Sequence, residues 1–139
     1  MSLSRAFSWP VRVYWEDTDA GGIVFYANYL KFFERARTEW LRSLGVGQHG
    51  LKETTGGMFV VLETSVRYLK PARLDDELLV TAEVNEWGRA SLIIDQQALD
   101  PAGTLLCQGN IRIGWVEAAT LRPARIPGGI LDALKRTQQ

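Results

Sequence analysis

The amino-acid sequence predicts a single α+β domain in which one long helix covers a face of an antiparallel sheet. One segment, from about Ala27 to Leu44, carries apolar residues at helical spacing. Four later segments carry apolar residues at alternating positions and are joined by short turns, which is typical of antiparallel strands. The 139 residues suit one domain, and the whole range 1–139 is assigned to it.

The first predicted element is a short strand over residues 10–16. Val11, Val13 and Trp15 alternate there with more polar residues, which indicates a strand with one buried face. Residues 17–22 are rich in Asp and Gly and predict a turn into the helix.

The predicted helix has an apolar stripe and marked ends. Asn28 is expected to cap its start or to orient a site there, and Gly45 suits the left-handed position after its last turn. The apolar positions are Leu30, Phe33, Trp40, Leu41 and Leu44. The charged positions, expected to face solvent, are Glu34, Arg35, Arg37, Glu39 and Arg42.

The rest of the chain predicts a connection with one short helical turn, four strands and a tail. The strands are expected at 59–70, 77–87, 89–99 and 104–117, and the tail from residue 118 ends in a short helix near 130–136. In the first of these strands, one face is predicted to carry Val60, Leu62, Thr64, Val66 and Tyr68.

Composition excludes several classes of protein. Sixteen basic and sixteen acidic side chains cancel, so no broad positive field attracts nucleic acid or an anionic membrane. One cysteine and one histidine supply neither an internal disulfide nor a four-ligand zinc site. No apolar run has the length of a membrane span and no signal-peptide core is visible, so a cytoplasmic location is expected.

Common catalytic motifs are absent from the sequence. There is no phosphate-binding glycine loop and no serine nucleophile elbow. His49 lies in a polar stretch and is expected in a surface loop, and Cys107 is expected to be a packed thiol on the apolar face of a strand.

The densest polar feature is the run of three carboxylates at 16–19, followed by two glycines and the helix. One interpretation is an ordinary turn, in which Asp17 caps the turn or tunes Asp19. The other is a site in which the free N–H groups of a helix start stabilise an oxyanion while a carboxylate attacks a carbonyl or activates water. Such a site suits an activated acyl group such as a thioester.

Segment 11–42, which contains EDTDAGGIVFYANY, resembles the signature of hotdog-fold acyl-CoA thioesterases. It is similar in particular to the 4-hydroxybenzoyl-CoA thioesterase family and to its Tol-Pal-associated bacterial branch. Segment 68–78, YLKPARLDDEL, also resembles that branch, so the likeness covers nearly the whole chain.

The resemblance implies a sheet of five or six strands wrapped round the helix, and subunits that pair edge to edge as a homodimer or homotetramer. It implies that Asp19 is the catalytic carboxylate, acting as nucleophile or general base. The backbone N–H of Tyr26 would polarise the thioester carbonyl, and Gly22 would let the acyl group approach closely. The site would lie at the subunit interface.

Two positions depart from the Tol-Pal-associated branch, which commonly has His where Tyr26 stands and often Tyr where Trp15 stands. The pair Phe25 and Tyr26 instead resembles the 4-hydroxybenzoyl-CoA enzymes. These rings are expected either to line a pocket for an aryl or short acyl group or to pack at the helix start.

A hairpin over residues 87–91 stands where related enzymes contact CoA, so Trp87 is counted with the substrate-binding residues. There Arg89 would meet the nucleotide phosphates and Ser91 the pantetheine arm, or the arginine is simply solvated. Arg73 is expected to form an ion pair with Asp75 or Asp76.

The sequence as a whole predicts hydrolysis of a short-chain or aromatic acyl-CoA without a metal or an organic cofactor. Two alternatives stay open: a hotdog dehydratase, and a non-catalytic module that binds acyl-CoA or an envelope complex. A link to the Tol-Pal system is implied by resemblance alone.

Overall fold

The fold is described from a computed structural model that covers residues 6–45 and 48–136. In chain order its elements are β1 (Phe7–Arg12), α1 (Tyr29–Ser43), α2 (Gln48–Thr55), β2 (Gly57–Tyr68), β3 (Glu77–Trp87), β4 (Ser91–Leu99), β5 (Leu105–Glu117) and α3 (Gly128–Arg136). Two 3-10 turns, Trp15–Asp17 and Tyr26–Asn28, lie between β1 and α1. No helix of the described residues is long and apolar enough to cross a membrane.

The five strands form one sheet in the order β1-β3-β4-β5-β2, and every neighbouring pair is antiparallel. This confirms the predicted antiparallel sheet. β2 pairs with β5 rather than with β3, which follows it in sequence, so the segment after β2 crosses to the other side of the sheet. β1 and β2 are therefore the two edges.

Helix α1 lies against the sheet and supplies the centre of the core. Its buried side chains recur at helical spacing and are Tyr29, Phe32, Phe33, Ala36, Trp40 and Leu41. The predicted helix is confirmed, since the second 3-10 turn leads directly into α1. The expected burial of Leu30 is wrong: this residue is 43% exposed because it lies beside the stripe that faces the sheet.

The first predicted strand lies earlier in the chain than expected. β1 ends at Arg12, and the chain turns away after Val13, whose N–H donates to the Asp76 carbonyl at 2.8 Å. Trp15, expected on the buried face, stands in a 3-10 turn and is 79% exposed.

A bulge in β2 overturns the predicted face of that strand. Val61 pairs with Ile113 and Glu63 with Arg112, so Leu62 is an extra residue in the ladder. In a regular strand, residues three positions apart point to opposite faces of the sheet. The bulge changes this: Thr64 lies opposite Ile111, so it points to the helix-facing side of the sheet, as Val61 does. Val60 and Leu62 therefore do not share a face with the later residues.

Two further elements depart from their predicted limits. β4 begins at Ser91 rather than at residue 89. The connection after α1 contains α2, eight residues long, where one short helical turn was expected. His49 is therefore in a helix and not in a loop, and its side chain lies outside the described part of the chain.

One polar group lies in the core between the helix and the sheet. Gln96 is fully buried, and its Nε2 donates to the carbonyls of Phe33 at 3.0 Å and Thr81 at 3.1 Å. Its Oε1 accepts a hydrogen bond from Arg37 Nη1 at 2.8 Å. Arg37, expected to be fully solvated, is thus half-buried, and burial lowers the pKa of its guanidinium, which stays charged.

The close approach of α1 to β5 depends on Gly109, and its replacement by alanine tests this. A Cβ at Gly109 would lie 2.7 Å from Phe33 Cε2, so Gly109→Ala is expected to lower the free energy of unfolding by about 1–3 kcal/mol. Chemical denaturation measures this change. Gly129→Ala in α3 is the matched control, because an added Cβ there meets nothing within 4 Å. Equal stability of the two variants would contradict the packing described.

Candidate active site

The loop between β1 and α1 is organised by the buried carboxylate of Asp17. Only 4% of this residue is exposed. Its Oδ2 accepts the Tyr14 N–H at 2.8 Å, and its Oδ1 accepts Asn28 Nδ2–H at 2.6 Å. Its backbone carbonyl accepts the Phe25 N–H at 3.0 Å. One residue therefore ties the start of the loop to its end.

Asn28 does not cap the helix, which corrects the first of its two expected roles. Its side chain makes no capping hydrogen bond and is instead directed to Asp17, eleven positions earlier. This contact orients the helix start relative to the loop that carries Asp19.

Asp19, in contrast, is exposed and lies at the tip of the loop. Its Oδ1 accepts the Gly21 N–H at 2.8 Å, and its carbonyl accepts the Gly22 N–H at 3.1 Å. Gly22 has a φ of +78°, a backbone conformation that L side chains rarely adopt. The turn holds the carboxylate by one oxygen and leaves Oδ2 without a hydrogen-bond partner among the residues described.

Two backbone amides at the helix start are free to bind a ligand. The 3-10 turn begins after Phe25, whose carbonyl accepts the Asn28 N–H at 2.8 Å. The N–H groups of Tyr26 and Ala27 precede that first bond and find no acceptor in the described part of the chain. Free amides at the positive end of a helix favour an oxygen that carries developing negative charge.

A groove of about 230 Å³ begins beside these amides. Its walls include the rings of Tyr26, Tyr29 and Tyr68, together with Val24 and Leu69. The ring centroids of Tyr26 and Tyr68 are 5.9 Å apart, and those of Tyr29 and Tyr68 are 5.8 Å apart. Three of the eight residues that line the groove are therefore tyrosines, and one of them, Tyr26, also carries one of the free amides.

The expected aromatic pair contributes to this groove unequally. Tyr26 lines it, whereas Phe25 packs on the Tyr26 ring at a centroid distance of 4.7 Å and is not part of the wall. Tyr29 and Tyr68 are not among the predicted site residues. The strand pattern only places Tyr68 on one face, and the predicted apolar stripe of the helix does not include Tyr29, so neither pattern indicates a groove residue.

The hairpin that carries Trp87, Arg89 and Ser91 lies at the other end of the sheet in the single chain. Tyr68 is opposite Cys107, which pairs with Ala98, whereas Ser91 begins β4 seven residues earlier. At the usual rise of a strand this separation is roughly 23 Å. The chain alone does not bring the hairpin to the groove.

At that end, Trp87 packs under α3 with Lys135 Nζ 5.6 Å from its ring centroid. Ser91 borders a second cavity of about 210 Å³ together with Glu86 and Arg112. Arg89 joins the hairpin to the tail, since its carbonyl accepts the Ile126 N–H at 2.8 Å.

Two further expectations concern side chains near the groove. The ion pair predicted for Arg73 is not formed: its backbone N–H, rather than its guanidinium, donates to Asp76 Oδ2 at 2.9 Å. Cys107 is buried, as expected for a packed thiol, and burial raises the pKa of this thiol to about 12. Among residues 6–45 and 48–136, no group of three or more His, Cys, Asp or Glu side chains is arranged to hold a metal ion.

The sequence model described as the thioesterase-like superfamily matches residues 13–134, which include the loop, α1 and all strands except β1. The chain belongs to this superfamily. Its five-stranded antiparallel sheet around a central helix is the hotdog thioesterase fold.

Relatives within the superfamily are similar over nearly their full length. The acyl-CoA thioesterase YbgC of Haemophilus influenzae is 42% identical over 125 residues, which cover 90% of this chain and 91% of that protein. The acyl-CoA thioester hydrolase YbgC of Escherichia coli O6:H1 is 40% identical over 130 residues, which cover 94% and 96%. The crystal structure of a probable thioesterase from Bartonella henselae superposes with a TM-score of 0.81 at 29% identity and covers 88% of this chain and 99% of that one.

In this thioesterase-like chain the two aspartates are expected to differ in their effect on stability. In Asp17→Asn the side-chain NH₂ group would face either the Tyr14 N–H or Asn28 Nδ2–H, which are both donors, so one hydrogen bond is lost. We therefore expect this variant to lower the free energy of unfolding by about 1–3 kcal/mol. Asp19→Asn is the matched control, because its carbonyl oxygen still accepts the Gly21 N–H, and its stability is expected to stay within about 0.5 kcal/mol of wild type. Denaturant titration of both variants tests this; a loss at position 19 as large as at position 17 would contradict the assignment.

Proposed function

We propose that this chain is an acyl-CoA thioesterase that hydrolyses a short-chain or aromatic acyl-CoA to the free acid and CoA. The observation that carries the proposal is that one short loop bears a carboxylate with a free oxygen, on Asp19, and leads directly into the free amides at the start of α1. Both are held by the loop that Asp17 organises. The names of the two YbgC relatives support the same activity.

In the proposed reaction the thioester carbonyl oxygen accepts the Tyr26 N–H, and the helix start stabilises the negative charge that develops on this oxygen. Asp19 then acts in one of two ways. As a nucleophile it attacks the carbonyl carbon, the C–S bond breaks with release of CoA thiolate, and water hydrolyses the resulting anhydride. As a base it removes a proton from water, which attacks the same carbon; the C–S bond then breaks, and the CoA thiolate that leaves takes up the proton. Neither route uses a metal or an organic cofactor.

The size of the groove supports a small acyl group. A cavity of about 150 Å³ accommodates benzene, so the groove of about 230 Å³ has room for one substituted ring or a short chain. Tyr26 both lines this groove and supplies the amide that would bind the carbonyl oxygen, so the acyl group would extend from that amide into the groove.

The two sheet edges differ in their ability to pair with another chain. β1 is six residues long and contains Pro10, which lacks an N–H group. β2 is twelve residues long, has no proline and exposes about half of Val61 and of Leu62. We therefore propose a homodimer in which β2 pairs with the same strand of a second copy, related by a two-fold axis.

A cavity of about 470 Å³ between α1 and β2 lies beside the same edge and supports this dimer. Its wall includes Trp40, Phe59 and Val61, with Glu34 and Arg37 on the helix side. Arg37 has no carboxylate within 4 Å among the described residues. A surface that carries both charges is complementary to a copy of itself across a two-fold axis.

The proposed dimer accounts for the separation between hairpin and groove. Strands related by this axis run antiparallel, so the Tyr68 end of one β2 lies beside the Gly57 end of the other. The hairpin stands at that second end, since Ser91 and Val60 both pair with Gly114. Arg89 and Ser91 of one copy thus bind the CoA moiety of a substrate whose acyl group lies in the other copy's groove.

Two broader assignments remain proposals that rest on resemblance. The dimers associate further into a homotetramer, as is common in the family that segment 11–42 resembles. The protein works in the cytoplasm beside the Tol-Pal envelope system.

The first test of the proposed function is Asp19→Asn. Loss of the nucleophile or base is expected to lower kcat by roughly 10²–10⁴-fold, measured as CoA release from acetyl-, butyryl-, benzoyl- and palmitoyl-CoA. Circular dichroism and size-exclusion chromatography control for fold and assembly. A variant that keeps nearly the wild-type rate would refute the role of Asp19.

A second test concerns Arg89 and the arrangement of the dimer. Arg89→Ala is expected to raise KM about tenfold for CoA esters, through loss of a charge-assisted contact to phosphate. It is expected to leave KM unchanged for N-acetylcysteamine thioesters, which lack the nucleotide. Equal effects on both substrates would remove Arg89 from the CoA site.

Mixed dimers of Asp19→Asn and Arg89→Ala subunits, purified through two different tags, test whether the site spans both copies. If Arg89 acts across the interface, one of the two sites in each mixed dimer keeps both side chains. Activity at low CoA-ester concentration should then approach half that of wild type. The activity of the mixed dimer is divided by the number of subunits that keep Asp19 and compared with that of the Arg89→Ala homodimer. If the mixed dimer is no more active on this basis, both residues act in the same subunit.

A further inference from the structure

A buried hydrogen bond joins helix α1 to the crossover segment, residues 69–76, which connects β2 to β3. The phenol oxygen of Tyr29 accepts the Ala72 N–H at 3.2 Å. Tyr29 is 3% exposed and Ala72 is fully buried, so this N–H is shielded from water. A buried backbone donor that loses its acceptor keeps the full cost of its desolvation. The Tyr29 phenol therefore holds the crossover segment against the helix.

The same residue of the crossover segment is hydrogen-bonded to the chain just before the helix. The Ala72 carbonyl accepts the Val24 N–H at 2.9 Å. Val24 stands two residues before Tyr26, which carries a free amide, and Tyr29 stands three residues after Tyr26. Ala72 thus closes a ring that runs along the chain from Val24 to Tyr29 and back through two hydrogen bonds. The free amide of Tyr26 belongs to that ring.

The turn of Asp19 is attached to the same crossover segment. The Leu74 N–H donates to the Gly22 carbonyl at 3.3 Å, and the Gly22 N–H donates to the Asp19 carbonyl at 3.1 Å. The segment is therefore bonded at Leu74 to the turn that holds the carboxylate and at Ala72 to the chain that leads to the free amide. A shift of this segment relative to α1 would change the distance between the two groups.

The ring of Tyr29 is held by contacts that do not involve its hydroxyl. Its centroid is 5.8 Å from that of Phe32 and 5.8 Å from that of Tyr68. Removal of the hydroxyl alone is therefore expected to leave the ring in place and to break only the contact with Ala72.

We propose that Tyr29 is a positioning residue: by accepting the Ala72 N–H, its phenol oxygen sets the separation between the Asp19 carboxylate and the Tyr26 N–H. Tyr29 acts through the crossover segment and needs no contact with the thioester carbon. This inference rests on the proposed thioesterase function and adds to it a residue outside the loop. Rates depend steeply on such a separation, since a misplacement of about 1 Å can cost roughly 10²-fold.

The first experiment measures kcat and KM of Tyr29→Phe with the smallest and the largest of acetyl-, butyryl- and benzoyl-CoA that wild type hydrolyses. We expect kcat to fall about 10–100-fold for both esters while KM stays within about threefold, because the reacting groups are displaced and the binding surfaces remain. A residue that only shaped the groove would affect the larger ester more. A kcat close to wild type, or a loss confined to the larger ester, would overturn the proposal.

Tyr14→Phe is the matched control for loss of a phenol hydroxyl. Tyr14 lies next to the same loop, but its side chain is exposed, and only its backbone N–H contacts Asp17. This variant is expected to keep kcat within about twofold of wild type.

The second experiment places Tyr29→Phe in the Asp19→Asn background, which separates positioning from a general loss of folded protein. If Tyr29 acts by placing the Asp19 carboxylate, its substitution should lower the residual kcat by less than about threefold, because that carboxylate is already absent. A purely structural role would lower the rate by the same factor in both backgrounds. Equal losses would therefore overturn the proposal.

Incorporation of 4-fluorophenylalanine at position 29 covers the case in which Tyr29→Phe does not fold. Fluorine fills the space of the hydroxyl but is a poor hydrogen-bond acceptor, so the same loss of kcat is expected. A wild-type kcat in this protein would overturn the proposal, because the shape of the side chain would then be sufficient. Failure of both proteins to fold would also overturn it, since the contact would then serve folding.

None of these results touches the thioesterase assignment. That assignment fails separately, if wild type releases CoA from no acyl ester or if Asp19→Asn retains its rate, and the role of Tyr29 would fail with it.

Discussion

The structure depends on the burial of a single helix in a sheet that bends round it. The buried stripe of α1 includes the large side chains of Phe32, Phe33 and Trp40, which require close contact along the whole face. The sheet meets this requirement by bending: the ladders shift at Leu62 in β2 and between Val84 and Glu86 in β3. Such bulges increase local twist and curvature. The position of the helix start, and with it the candidate site, follows from this packing.

Two aspartates two residues apart serve opposite purposes at that helix start. Asp17 is buried and satisfied by two donors, so it fixes the backbone of the loop. Asp19 is exposed and held by one oxygen, so its second oxygen remains free. A carboxylate that both fixed the loop and attacked a carbonyl would have to give up its hydrogen bonds during the reaction. The division between the two residues avoids that cost and keeps the carboxylate that we propose to be catalytic oriented.

Local periodicity is sufficient to predict the helix and the later strands, because spacings of 3.6 and 2 residues are distinct. It fails where the cause is non-local. An extra residue such as Leu62 leaves apolar residues on either side, so the sequence pattern hides the change of face. The contact of Asn28 with Asp17 spans eleven positions and competes with a capping role that sequence alone favours. Tyr29 is not among the predicted apolar positions, and its place in the groove wall follows only from the packing of the helix against β2.

The separation of groove and hairpin explains why one chain is insufficient for the proposed activity. The acyl end of the substrate needs the helix start, whereas the nucleotide end needs cationic and polar groups, and the sheet holds these at opposite ends of β4. Lengthening loops to join them would add entropy cost within one chain. In the proposed dimer, two-fold pairing along β2 would instead bring opposite ends together in both sites at once. The unpaired edge, which would otherwise invite aggregation, would then be the element that completes the proposed site.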